Sequence, residues 1–219
     1  MNDFIEFIEE FSAFVVREND LIMNATLLHI RIAFIAVCIG AVIAVPLGVW
    51  LTRNKKIANY VLSIIGVIQT IPSLVLLGFA LIIFGLGINS ALVVLAAYSI
   101  LPILQNTYTG INEVPDMYKE AAKGMGMSGL QILYQVEIPL ALSVIIAGIR
   151  ISFVYIISWA TLAALIGAGG LGDLIWTGLA SYDKYMILAG AIPASILALV
   201  IGGVIGFIEK MATPRGLRE

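Results

Sequence analysis

The sequence has 219 residues, of which 61% are hydrophobic and 12% charged, and its mean hydropathy is +1.05. This composition excludes an ordinary soluble domain and indicates a membrane protein, while the formal net charge of −2 is too small to indicate a nucleic-acid partner. With one histidine and one cysteine, the sequence offers no metal-ligand cluster and no nucleophile–base pair, so neither a metal site nor enzyme chemistry is expected in this chain.

The pattern of acidic and apolar residues in 1–20 predicts an amphipathic helix on the outer surface of the membrane. Acidic residues fill one side of this helix, and apolar residues recur at helical spacing on the other. The apolar set is Phe4, Phe7, Ile8, Phe11, Phe14 and Val15. Because the acidic face disfavours recruitment by anionic lipids, the helix is expected to pack on the transmembrane bundle. A functionally silent terminus stays open as the alternative.

Five apolar spans are predicted, since one crossing of the hydrocarbon core needs about 20 residues. No charged side chain occurs from Ile57 to Asn112, so this stretch is expected to hold two spans, divided where Gly85 to Ser90 favour a turn. The spans cover residues 27–51, 59–84, 89–111, 139–166 and 186–208, with a loop at 112–138 and a tail at 209–219. The expected fold class is an all-α membrane protein with five transmembrane helices.

The placement of lysine and arginine predicts the orientation, because cytoplasmic loops carry an excess of both. Two of these residues, Arg17 and Lys184, lie on one side of the predicted bundle, and eight lie on the other. The eight are Arg53, Lys55, Lys56, Lys119, Lys123, Lys210, Arg215 and Arg218. The N-terminus is therefore expected outside and the C-terminus inside.

Polar residues inside two of the spans are candidates for a translocation path. In span two, Gln69 and Thr70 precede Pro72, which is expected to kink the helix while a nearby hydroxyl satisfies a freed carbonyl. In span four, Tyr155 and Trp159 are four residues apart and share a helical face. Local backbone repair at the kink and simple packing of the aromatic pair remain the alternatives.

Three further charged or titratable side chains fall inside spans. Arg150 lies near the middle of span four, where an unpaired charge costs about 2.5–3.5 kcal/mol, so it is expected to have a structural partner. Glu137 is the nearest acid in sequence, and a partner from the loop or from another subunit is equally open. His29 and Arg31, near the outer end of span one, are expected to snorkel to the interface.

A glycine-rich stretch follows span four. Its order, Gly167-Ala168-Gly169-Gly170-Leu171-Gly172, fits the pattern G-x-G-x-x-G. A dinucleotide site is rejected, because that pattern needs a preceding strand in a βαβ unit and here follows a membrane helix. The glycines are expected to break the helix, with a short helix restarting at Asp173. A lining or gating role stays open.

The loop at 112–138 carries the most informative motif. Asp116 is expected to cap a short helix that ends around residues 124–126, and Ser128 with Gln131 has the spacing of a capping box. The motif is Glu120-Ala121-Ala122-Lys123-Gly124-Met125-Gly126, followed by Val136-Glu137-Ile138-Pro139. It resembles the EAA loop of ABC-transporter permeases, whose short coupling helix docks on the ATP-binding subunit.

The wider sequence, about residues 21–207, resembles the five-helix permease core of type I ABC importers. Three segments resemble the osmoprotectant branch, which imports glycine betaine, carnitine and choline: residues 69–74, 101–110 and 159–163. The resemblance implies coupling through Glu120, Ala121, Ala122, Gly124, Gly126 and Pro139.

The same resemblance implies three kinds of partner: an ATP-binding subunit pair that holds ATP and magnesium, a second permease, and an extracellular substrate-binding protein. No cofactor is expected in this chain, which has no G-x-x-x-x-G-K-[ST] motif. A plasma or inner membrane location follows. A permease for methionine or another amino acid, a channel not coupled to ATP, and a membrane scaffold remain the alternatives.

Overall fold

The computed structural model describes residues 2–213, so Arg215 and Arg218 of the predicted tail lie outside the described residues. The described chain is helical and contains no strand, in agreement with the expected all-α class. Its helices are α1 (Asn2–Arg17), α2 (Asn19–Leu51), α3 (Lys55–Thr70), α4 (Ser73–Phe84), α5 (Ile88–Asn112), α6 (Asp116–Gly124), α7 (Gly129–Ile132), α8 (Ile138–Ala163), α9 (Leu171–Ser181) and α10 (Lys184–Ala212). A π turn, Leu133–Glu137, joins α7 to α8, and a 3-10 turn, Ala164–Ile166, follows α8.

Four helical stretches among the described residues are long and apolar enough to cross a membrane. They are Asn19–Leu51, Ile88–Asn112, Gly129–Ile166 and Lys184–Ala212. The remaining predicted span, residues 59–84, is not one kinked helix but two helices, α3 and α4, bent by 92° at the break. Pro72 has no N–H group and disfavours the helical region for the residue before it, and Ile71 accordingly has extended dihedral angles (φ −70°, ψ 128°).

Side chains satisfy the backbone groups that this break frees. Thr70 donates its hydroxyl to the Val67 carbonyl at 2.7 Å, which is the local repair expected from the sequence. The Tyr98 hydroxyl, from α5, donates to the Ile71 carbonyl at 2.5 Å, and the Gln69 amide donates to the Tyr98 carbonyl at 2.8 Å. These two reciprocal bonds fix the end of α3 against α5.

The chain divides into two compact units. Unit 1 holds the chain up to Ala36, Pro72–Leu95 and Tyr155–Leu199; unit 2 holds Val37–Ile71, Ala96–Val154 and the chain from Val200 onward.

Glycines bring the helices of unit 2 close together. A Cβ atom on Gly48 of α2 would lie 2.8 Å from the Thr107 side chain of α5. A Cβ on Gly148 of α8 would lie 2.7 Å from the Asn106 side chain, also on α5. Small residues are the usual means of close helix packing in a membrane, where no hydrophobic force drives helices together. The apolar core beside these contacts is built from Ile111, Val114, Ala141 and Ile145.

In unit 1, α1 packs on the start of α10 through an aromatic cluster. The rings of Phe7, Phe11 and Phe14 have centroids 5.5–6.4 Å from that of Tyr185. The Tyr185 hydroxyl also donates a hydrogen bond to Glu10. The chain's own α10 therefore covers the part of the apolar side formed by Phe7, Phe11 and Phe14, whereas Phe4 and Ile8 stay exposed.

Two expectations about unit 1 were inaccurate in detail. His29 does not snorkel: it is 0% exposed, and its Nε2 atom lies 2.9 Å from the Ile157 carbonyl. Helix α9 restarts at Leu171 rather than Asp173, because Gly167, Gly169 and Gly170 adopt positive φ angles and complete the turn earlier.

Candidate functional site

The loop after α5 contains a short helix, α6, that is closed at its C-terminus by a Schellman motif. Gly126 adopts the left-handed conformation (φ 81°), its N–H group donates to the Lys123 carbonyl at 2.9 Å, and the Met127 N–H group donates to the Ala122 carbonyl at 3.1 Å. The turn expected at Gly126 is thus present. The N-terminal end differs from the expectation, because Pro115 occupies the cap position and Asp116 is the first helical residue. The Asp116 carboxylate makes no capping bond and pairs with Lys119 at 3.1 Å instead.

The two alanines of the motif lie on different faces of α6. Ala122 is only 1% exposed, whereas Glu120, Ala121 and Gly124 are exposed. Successive helical residues are rotated by about 100°, so Ala122 points about 200° away from Glu120. Of the three residues Glu120, Ala121 and Ala122, only the first two face outward, and Ala122 packs within its own chain.

A rigid connection leads from the loop into α8. Ser128 and Gln131 form the expected capping box: the Ser128 hydroxyl accepts from the Gln131 N–H group at 3.4 Å, and the Gln131 side chain accepts from the Ser128 N–H group at 2.7 Å. The helix then continues through the π turn, in which the Ile138 N–H group donates to the Leu133 carbonyl. This wider turn accommodates Pro139, the second residue of α8, without breaking the helix.

An ion pair fixes the base of this connection. Arg53, which follows α2, donates from Nη1 and Nη2 to the two carboxylate oxygens of Glu137 at 3.2 and 2.5 Å. The Glu137 side chain is 5% exposed. A bidentate arginine is the cation best matched to such a carboxylate. Both residues flank apolar spans on the side predicted to be cytoplasmic, but nothing in the sequence pairs them, because they are 84 residues apart.

Arg150 pairs with Glu209 and not with Glu137. Its Nη1 atom lies 3.1 Å from the Glu209 carboxylate on α10. A Cβ atom on Gly206 would lie 2.9 Å from the same Nη1 atom, so the absence of a side chain there makes room for the guanidinium group. The partner could have been inferred from Glu209 itself, which is the acid at the end of the last apolar run.

The candidate path residues fall into two groups. Gln69 and Thr70 belong to unit 2 and make the hydrogen bonds described above, and Pro72 begins the stretch of unit 1 that contains α4. Tyr155 and Trp159 belong to unit 1, with ring centroids 5.8 Å apart and Tyr155 49% exposed. The aromatic pair is therefore formed, and its Tyr155 side chain is about half exposed.

Comparison with known proteins identifies the family. Residues 36–216 match the protein family described as the binding-protein-dependent transport system inner membrane component. The chain belongs to this family. It is 50% identical over 190 residues to the glycine betaine/carnitine/choline transport system permease protein OpuCB of Bacillus subtilis, covering 87% of this chain and 88% of that protein. It is 48% identical over 191 residues, with the same coverage, to the carnitine transport permease protein OpuCB of Listeria monocytogenes.

The fold agrees with that of a solved transporter of the same general class. The structure of the MetNI methionine ABC transporter in an inward-facing conformation aligns with a TM-score of 0.80, covering 89% of this chain and 97% of that chain. At 24% sequence identity this likeness concerns the fold alone. The chain is thus a multi-pass membrane permease with the type I ABC permease fold.

We predict that Arg150 stabilises the permease through its pairing with Glu209. Arg150→Met alone leaves a half-buried carboxylate unpaired and should lower the free energy of unfolding by about 1–2 kcal/mol, less than for a fully buried pair. Arg150→Met with Glu209→Met should recover most of that loss. Thermal unfolding of the purified protein in detergent measures both effects.

The exposed pair Arg17–Glu18 provides the control, since Arg17→Met should change the unfolding temperature little. If the Arg150 single and double variants were as stable as the wild type but both failed to transport, the arginine would act in the solute path instead.

Proposed function

We propose that this permease forms the transmembrane passage of an ATP-driven importer of quaternary ammonium osmoprotectants such as glycine betaine, carnitine and choline. The observation that carries the proposal is the identity of 48–50% over 87% of the chain to permeases whose names specify these solutes. A permease for methionine or another amino acid is less well supported, because the methionine transporter resembles this chain at 24% identity.

The proposed assembly contains further subunits. ATP is hydrolysed by a pair of ATP-binding subunits, since this sequence has no P-loop motif. A second permease, identical or paralogous, completes the passage, and an extracellular substrate-binding protein delivers the solute. The orientation proposed from the charge distribution, with the N-terminus outside, places α6 on the cytoplasmic side where ATP-binding subunits act.

The substrate assignment predicts ATP-dependent uptake of the three quaternary ammonium solutes. Proteoliposomes that contain the permease with its co-purified partners should accumulate labelled glycine betaine, carnitine or choline only with ATP inside and binding protein outside. An excess of methionine should not compete. Accumulation of methionine instead would identify an amino-acid permease, and flux without ATP would identify a channel.

Tyr155 and Trp159 are proposed to border the solute path. Quaternary ammonium groups favour aromatic faces, with about 0.5–2 kcal/mol gained per contact. A shallow attraction of this size suits a path, because a deep well would trap the solute between transport cycles.

Trp159→Ala is therefore expected to slow uptake severalfold, while solute binding to the extracellular partner stays unchanged. The matched control is Trp50→Ala, which removes a half-exposed tryptophan of α2 that has no proposed role. Both variants are compared by initial uptake rate per reconstituted transporter. Equal rates in the Trp159 variant and the wild type would show that this aromatic residue serves packing only.

Coupling is proposed to occur through the exposed face of α6, which presents Glu120, Ala121 and Gly124 to the ATP-binding partner. Glu120 offers a charge for a basic residue, and Ala121 and Gly124 permit close approach. The continuous helix through Pro139 would carry the movement of α6 into α8. Coupling requires such an element, biased by nucleotide at one end and by solute access at the other.

We predict that Ala121→Trp and Gly126→Val each lower uptake and substrate-stimulated ATPase together. The tryptophan would separate α6 from its partner, and valine would strain the left-handed residue that ends the helix. Gly126→Asn should retain activity, because asparagine tolerates this conformation. Ala180→Trp, at an exposed position on α9, is the control for bulk. If stimulated ATPase and uptake stayed at wild-type levels in the first two variants, α6 would not be the coupling site.

A further inference from the structure

A cavity of about 650 Å³ lies in unit 2 where several helices end. It is bordered by the start of α3, the end of α5, one side of α6, and the segment from α7 through the π turn. Its charged lining residues are Arg53, Lys55, Asp116, Lys119, Lys123 and Glu137. The exposed face of α6 proposed for coupling is a different surface, since Glu120 and Ala121 do not line the cavity.

The cavity carries excess positive charge after its internal ion pairs are formed. Glu137 is bound by Arg53, and Asp116 is paired with Lys119. Among the residues that the structure describes, Lys55 and Lys123 have no carboxylate within ion-pair distance. Two exposed lysines therefore line one cavity without an ion-pair partner, in a chain whose formal net charge is −2.

The position of the cavity favours a ligand at the membrane boundary. Helices α2 and α5, both long enough to cross the membrane, end beside it at Leu51 and Asn112. Leu130, which also lines it, is 70% exposed and gives the rim an apolar edge. Basic pockets between membrane helices on the cytoplasmic side are suited to anionic headgroups, which bring a phosphate charge and an adjoining apolar chain.

We propose that this cavity binds a phosphate group, and that the headgroup of an anionic phospholipid supplies it. Lys55 and Lys123 provide the two free cations for the phosphate oxygens, and Arg53 remains oriented by its bond to Glu137. The apolar rim at Leu130 accepts the first part of an acyl chain. This site is independent of the solute assignment, because it is defined by binding and not by transport.

The test compares three probes on the full-length permease purified in an uncharged detergent: dioctanoyl phosphatidylglycerol, dioctanoyl phosphatidylcholine and inorganic phosphate. Titration calorimetry at low salt gives the affinity of each. Phosphatidylglycerol should bind more tightly than phosphatidylcholine. Lys55→Gln with Lys123→Gln should weaken it about thirtyfold, as expected from the loss of two charges near a phosphate.

Lys56→Gln with Lys210→Gln is the matched control. It removes the same charge from exposed lysines that do not line the cavity, and it should leave the affinity for phosphatidylglycerol unchanged. Competition by inorganic phosphate at comparable concentration would support the phosphate site but assign it to a soluble anion. The proposal is overturned if phosphatidylglycerol binds no better than phosphatidylcholine, or if both double variants weaken binding equally.

Discussion

The absence of water from the bilayer core is the constraint on which this structure depends. Each backbone N–H and carbonyl group in that region needs a partner from the protein, so every interruption of a helix has to be repaired locally. At the break between α3 and α4, the hydroxyls of Thr70 and Tyr98 bind two carbonyls. At the end of α8, the Ile166 carbonyl accepts from the Gly87 N–H group at 2.8 Å, which ties one interruption to another. The backbone groups at these two interruptions are therefore hydrogen-bonded within the protein, as they are inside the helices.

The same constraint governs the charges. An ion removed from water costs several kcal/mol unless it is paired and hydrogen-bonded, and the carboxylates of Glu137 and Glu209 in unit 2 are each paired with an arginine. Arg53 and Glu137 join the end of α2 to the start of α8, whereas Arg150 and Glu209 join α8 to α10. Each pair connects segments that are distant in sequence, so the pairs also fix which helices of unit 2 are neighbours. A sequence that is 12% charged uses these few charges to join helices of unit 2.

Features with a local cause could be predicted from the sequence, and features that depend on tertiary neighbours could not. Helix α5 (Ile88–Asn112) lies where residues 89–111 were expected, and the capping box at Ser128 and the left-handed Gly126 follow from short-range backbone chemistry. The burial of His29 and the partner of Arg150 depend on which helices pack together, which periodicity does not reveal. The burial of Ala122 depends on both local and tertiary features. The helical rotation already separates it from Glu120, but only the packing shows which of the two sides is covered.

Two prolines have different effects on helix continuity: Pro72 lies at a helix break, and Pro139 lies in a helix that continues. Pro72 follows an extended residue, so α3 and α4 are separate helices, and hydrogen bonds of Gln69 and Tyr98 tie the end of α3 to α5. Pro139 lies in the first turn of α8, where the preceding π turn shifts the hydrogen-bond register and keeps the rod continuous from Gly129 to Ala163. A continuous rod transmits a displacement along its length, whereas at the break α3 and α4 are separate helices. The proposed coupling uses the continuous segment beside α6, and the candidate path residues Gln69, Thr70 and Pro72 lie at the break between α3 and α4.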